Sequence, residues 1–136
     1  VMSHAYKNAF PDAQNVFEIA MPELATMIEN GDDTLKYISL FKELIPKDIK
    51  TGALVCTHYG IVKDEFKQIF PQITEWVLQE EIIPEKFKNY FMEKSEREDS
   101  LSKGSSVKIL LSADNTVFRK FVKEWFGDLE VNVINV

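Results

Sequence analysis

The sequence has one cysteine, Cys56, and two histidines, His4 and His58, in 136 residues. A lone thiol rules out an internal disulfide and suits a reducing compartment such as the cytoplasm. It also leaves a usual four-ligand zinc set incomplete unless carboxylates fill it. No apolar run reaches the roughly 18 residues that a membrane-spanning helix needs. Residues 1–20 lack the basic-then-apolar layout of a secretory signal. Basic clusters are missing as well. The 16 Lys and Arg stand against 22 Asp and Glu, a net charge of −6, and such a surface repels phosphates and argues against a nucleic-acid partner. What is present is ordinary for a folded domain: 45% hydrophobic and 12% aromatic residues, with ten phenylalanines. A chain of this length can bury one core.

Periodicity and punctuation divide the chain into alternating elements. Residues 3–10 read as a short helix with Ser3 as its cap, stopped by Pro11. NVFEIA at 15–20 reads as a strand. Pro22 opens a helix that ends at Gly31. Asp32-Asp33 cap a helix over 34–45, with Leu35, Ile38, Phe41, Leu44 and Ile45 on one apolar face. The unbroken apolar run at 52–56 predicts a buried strand. A helix over 61–70, a short strand near 72–77 and a helix from Pro84 to 94 follow. The polar stretch 95–106 reads as a loop. After it come a strand at 107–112, a helix within 113–127 and a strand at 130–135. The helix carries an apolar Val/Phe/Trp stripe over 117–126, expected as core. Such alternation implies an α/β fold with a largely parallel sheet, here a three-layer sandwich. Ligands in such folds sit at the carboxyl ends of the strands.

Cys56 stands at such an end, in 52-GALVCTHYGIV-62. A thiol there, just before a helix, would gain from the partial positive charge of the helix start and from a nearby imidazole. That makes it a nucleophile or a base. Thr57 offers a hydroxyl to an anionic ligand. The plainer reading is a core thiol, because cysteine is among the most buried residue types. A Cys–His hydrolase would need His58 to face the thiol. His4 and the acids at 96–99 read as plain surface.

The stretch Leu54-Val55-Cys56-Thr57-His58-Tyr59-Gly60-Ile61 resembles the second catalytic motif of the glutamate racemases, in the aspartate/glutamate racemase superfamily. There a Gly-Cys-Thr-His-Tyr/Phe-Pro run follows an apolar strand. Val55 replaces the usual glycine and Gly60 the usual proline. The likeness continues in order along the chain. SHAY at 3–6 resembles the family's Ser-x-Ala-Tyr. PELATMIENG at 22–31 resembles its Pro-rich segment ending in Glu-Glu-Gly, with Glu29 on the first glutamate and Asn30 in place of the second. LLSADNTVFRKFVKEWFG at 110–127 resembles the C-terminal signature, with Asp114, Phe118 and Gly127 matching.

The resemblance implies the C-terminal half of a two-lobed, pseudo-symmetric enzyme. Residues 1–94 would form most of the second lobe, 95–106 a loop, and 107–136 a strand–helix–strand tail packing on the first lobe. It implies cofactor-independent, metal-free interconversion of L- and D-glutamate by two cysteines, each serving one face of Cα. The product would supply peptidoglycan synthesis. Cys56 would be one of the catalytic pair, His58 its catalytic neighbour, Thr57 a substrate contact and Glu29 a support for His58. The second cysteine would come from the N-terminal half of the same protein, so the isolated chain is expected to be inactive. An exposed sheet edge makes a homo-oligomer the further expectation. A non-catalytic binding or assembly module of the same fold, and another racemase or amide/maleate-type enzyme of the superfamily, stand as alternatives.

Overall fold

The computed structural model describes residues 4–12 and 15–134. They form two compact units, one ending at Ile82 and the other starting at Ile83. Helices alternate with short parallel strands, so the fold is α/β. The strands form two separate two-stranded parallel sheets rather than one larger sheet.

The first unit begins with α1 (Ala5–Ala9), preceded by His4 in the left-handed region at φ 49°. The expected Ser3 cap lies outside the described residues. Two backbone N–H groups of this short helix, those of Tyr6 and Lys7, instead donate to the Glu18 carboxylate at 3.1 Å each. His4 is exposed, as its surface reading implies, and its Nδ1 lies 2.8 Å from the same carboxylate. These bonds, the one from Lys7 first, hold the Glu18 carboxyl below the usual carboxylate range against the opposing effect of burial.

The strand expected at 15–20 is not formed. The segment has no regular secondary structure and joins no ladder among the described residues. A β-rich pattern makes a strand only where a neighbour supplies the hydrogen bonds, and among the described residues none does. Helix α2 (Leu24–Asn30) follows. It starts two residues later than the proline suggested, and Gly31 closes it at φ 74°, a conformation that favours glycine.

Helix α3 (Thr34–Ser39) is capped by Asp33, which accepts from the Lys36 N–H at 3.1 Å. It is shorter than the periodicity suggested. A 3-10 turn at Lys42–Leu44 takes over, so the apolar stripe does not stay on one face. Ile38 is fully buried, but Leu44 is exposed. Strand β1 (Thr51–Leu54) pairs in parallel with β2 (Glu75–Leu78), Thr51 opposite Glu75 and Leu54 opposite Leu78. Between them come a 3-10 turn at Tyr59–Val62 and α4 (Lys63–Ile69). The expectation that 52–56 is buried throughout fails, because only Leu54 is buried and Val55 is exposed. Among the described residues, β2 is the only strand that pairs with β1.

The core of this unit gathers Leu24, Ile28, Ile38, Leu54, Phe66, Phe70, Ile73 and Leu78 around Met21. Full burial of a side chain such as Phe70 or Leu24 contributes roughly 1.5–3 kcal/mol. The one buried polar side chain among the described residues, Thr34, donates its hydroxyl to Glu65 at 2.6 Å. That bond ties the start of α3 to α4.

Helix α5 (Gln79–Glu93) leads from the first unit into the second. It begins five residues before Pro84, which lies inside it. Ser95–Ser100 forms α6 within the stretch expected to be a loop. In the second unit β3 (Lys108–Leu111) pairs in parallel with β4 (Glu130–Val133). Helix α7 (Thr116–Phe126) connects them, capped by Asn115, which accepts from the Phe118 N–H at 3.0 Å. Its apolar stripe is only partly core: Val122 is buried, while Val117, Trp125 and Phe126 are exposed. A two-stranded sheet covers less of the helix than the width of the stripe requires. Arg119 bonds Asp114 at 2.6 Å and the Val131 carbonyl at 3.2 Å, joining both ends of the helix–strand connection.

Candidate functional site

Cys56 follows β1 by two residues and sits in a bend, half-buried. Its carbonyl accepts from the Tyr59 N–H at 3.0 Å, and the His58 carbonyl accepts from Ile61 at 3.0 Å. These bonds wind the chain into the 3-10 turn. The regular helix begins only at Lys63, so the helix start expected directly behind the thiol is displaced by one tight turn. The apolar run ends here because the chain leaves the sheet, and the polar CTH triplet is thereby brought to the strand's carboxyl end.

The turn places His58 between two partners. Its Nδ1 lies 3.9 Å from the Cys56 Sγ, and its Nε2 lies 2.8 Å from a Glu29 carboxylate oxygen. The contact with sulfur is long and weak, whereas the contact with Glu29 is a good hydrogen bond. Because a carboxylate only accepts, Nε2 carries the hydrogen. Nδ1 then has a lone pair for the thiol proton, or, once protonated, donates to the thiolate. Either state links a thiol to a carboxylate through an imidazole. Glu29 comes from the last turn of α2, 29 residues upstream. Its reading as a solvated acid holds for exposure, since its side chain is 53% exposed and that of His58 is 32% exposed.

Thr57 lies between them in sequence but faces solvent, and its hydroxyl has no hydrogen bond among the described residues. It is thus available to a ligand. Tyr59 is a residue to which sequence reasoning assigned no role. Its hydroxyl donates to the Met21 carbonyl at 2.8 Å and so pins the turn to the entrance of α2. Burial, then the nearness of Cys56 and Tyr37, pushes the phenol above its ordinary range, which keeps it a donor. With the His58–Glu29 bond, this gives two ties between the Cys56 turn and α2. The signal for it was the tyrosine within the CTHY run itself.

Gly60 takes no positive φ among the described residues. The space where a Cβ would stand is occupied instead by the Glu80 carboxylate, which also faces the Lys63 ammonium at 3.9 Å. Glycine at this position leaves room for that side chain.

Known proteins resemble this chain in part. The glutamate racemase of Fusobacterium nucleatum is 37% identical over 73 residues, which are 48% of this chain and 28% of that protein. Glutamate racemase 1 of Caldanaerobacter subterraneus is 26% identical over 126 residues, 89% of this chain and 47% of that protein. This chain is similar to part of a glutamate racemase. The glutamate racemase of Lactobacillus acidophilus adds 36% identity over 75 residues, half of this chain and 28% of that protein. The chain thus spans about half the length, or less, of the curated glutamate racemases it matches, as the C-terminal half of such a protein would. No family model and no solved structure matches it. Among the described residues, no helix is long and apolar enough to cross a membrane.

Proposed function

We propose that this chain supplies one of the two proton-transfer cysteines of a cofactor-independent glutamate racemase. The Cys56 thiolate takes the Cα proton of glutamate, so that an S–H bond forms as the Cα–H bond breaks. A thiol on the complementary half of the enzyme gives its own proton to the opposite face of Cα. The product is the mirror-image amino acid, with one thiol and one thiolate exchanged between the two cysteines. His58 accepts or returns the Cys56 proton through Nδ1, and Glu29 holds the ring by its bond to Nε2. The free hydroxyl of Thr57 donates to a substrate carboxylate. Release of D-glutamate in the cytoplasm for peptidoglycan, a homo-oligomeric enzyme and a three-layer lobe over residues 1–94 belong to the same reading.

The observation that carries the proposal is the Cys56–His58–Glu29 chain at a strand end, in a sequence similar to proteins named glutamate racemase. A single thiol cannot serve both faces of Cα, which is why the reading includes a complementary half. The chain's lone cysteine also favours a second reading, a non-catalytic binding or assembly module of the same fold. A racemase assay on the protein containing this chain and its complementary half separates the two. Racemisation that vanishes in Cys56→Ser supports the enzyme; racemisation that survives it refutes the role given to Cys56.

A further inference from the structure

Strands β1 and β2 end level with each other, Leu54 opposite Leu78. Cys56 follows the first strand by two residues, and Glu80 follows the second by two, in the first turn of α5. The two connections therefore leave the sheet next to each other, at the end where the Cys56 turn forms.

Of the four residues in the 3-10 turn Tyr59–Val62, three carry side chains that pack against the core: Tyr59, Ile61 and Val62. Gly60 has no side chain to do so. The Glu80 carboxylate lies against its backbone instead. A Cβ on Gly60 would stand 2.6 Å from Glu80 Oε1, and its three nearest atoms beyond the adjoining residues would all belong to that carboxylate group. Backbone bonds connect Gly60 to both members of the site. The Lys63 N–H donates to the Gly60 carbonyl, the Ile61 N–H to the His58 carbonyl and the Tyr59 N–H to the Cys56 carbonyl. Glu80 also faces the Lys63 ammonium at 3.9 Å, but the two side chains are 42% and 37% exposed. At that length and exposure the ion pair adds little. The carboxylate's main effect here is to fill space against a glycine and limit the movement that glycine allows.

The geometry points to Glu80 as a positioning residue for Cys56. By holding Gly60 it keeps the turn wound, and the wound turn keeps the thiol within reach of His58 Nδ1. That contact is 3.9 Å long. It is already at the limit for a hydrogen bond to sulfur, so a shift of roughly half an ångström would break it. The inference rests on the racemase reading for what the placement serves, a thiol that exchanges its proton through His58.

The test measures iodoacetamide alkylation of Cys56 in the whole chain, as the ratio of the rate with His58 present to the rate in His58→Ala. This ratio isolates the imidazole, because a change that only exposes or loosens the turn moves both rates alike. It should stand at about fivefold or more in the unsubstituted chain, the upper end for a charge pair this exposed, and at about one in Glu80→Ala. Glu80→Gln keeps the volume and loses the charge, and it should keep the ratio of the unsubstituted chain. The far-ultraviolet circular dichroism should be the same throughout. An undiminished ratio in Glu80→Ala would overturn the proposal, and so would a ratio of one in the unsubstituted chain. Equal loss in Glu80→Gln and Glu80→Ala would assign the effect to the Lys63 ion pair and also overturn it. In the racemase assay, Glu80→Ala should lower kcat more than it raises KM, because proton transfer depends on the placement; the reverse split would overturn it. Absence of racemisation in the unsubstituted protein, with the ratio still falling in Glu80→Ala, would instead refute the racemase reading and leave the positioning role standing.

Discussion

Glu29→Gln keeps the shape of the side chain at His58 and removes its charge. The bond is short, 2.8 Å, but the two side chains are 53% and 32% exposed, so water screens the pair. A pair of this exposure contributes about 0.2–1 kcal/mol. At about 1.4 kcal/mol per tenfold, the loss amounts to roughly 1.4- to 5-fold in any rate that depends on an imidazolium beside the thiolate. The assay is alkylation of the chain by iodoacetamide at pH 7, followed by intact mass. Cys56 is the only thiol, so the rate needs no deconvolution. Glu29→Gln should slow it within that range, and His58→Ala should slow it further. In the His58→Ala background, Glu29→Gln should have no additional effect, because the carboxylate acts only through the ring. An unchanged rate in His58→Ala would refute the coupling of imidazole and thiol across 3.9 Å. A hundredfold loss in Glu29→Gln would refute the solvent discount.

Four other expectations follow from the geometry. Gly60→Ala should change stability by less than about 1 kcal/mol, since the flexible Glu80 carboxylate can swing aside and only an exposed ion pair is lost. Gly52→Ala should cost about 1–3 kcal/mol, because its Cβ would stand 2.9 Å from the Trp76 ring; urea unfolding of both variants decides between them. Tyr59→Phe should cost about 0.5–1.5 kcal/mol by leaving the Met21 carbonyl unbonded, and should speed alkylation of Cys56 if the turn loosens. The depressed Glu18 carboxyl stabilises the docking of α1 above its unfolded value of 4.5 and loses that contribution as pH falls through the lower folded value. Protection of the Tyr6 and Lys7 amides, relative to their intrinsic exchange rates, should therefore fall on acidification, and in Glu18→Gln that loss should disappear.

The chemistry-bearing stretch was readable in the sequence because it is local. Four consecutive residues, Cys56 to Tyr59, carry a turn just past a strand end and the three side chains proposed for the site. Glu29 was readable only through resemblance, since nothing within α2 marks it as the partner of a histidine 29 residues downstream. Element types were mostly legible from period and punctuation; element lengths were not. The strand expected at 15–20 and the long helix expected at 34–45 share one cause. Their patterns describe what each segment would bury, not where its backbone hydrogen bonds go: among the described residues no strand pairs with 15–20, and a 3-10 turn follows α3. The same holds for Trp125 and Phe126, whose helical spacing signals a packed face but not how much of it is covered. The volume relation between Gly60 and Glu80 is a contact between distant residues and leaves no local signature.

The most direct test of the central claim is Cα–H exchange of glutamate in deuterium oxide, followed by proton NMR, with this chain alone and with the chain joined to its complementary half. The account predicts no racemisation from the chain alone. It predicts deuterium incorporation with racemisation from the joined protein, both lost in Cys56→Ser. Racemisation by the isolated chain, or undiminished turnover in Cys56→Ser, would contradict it.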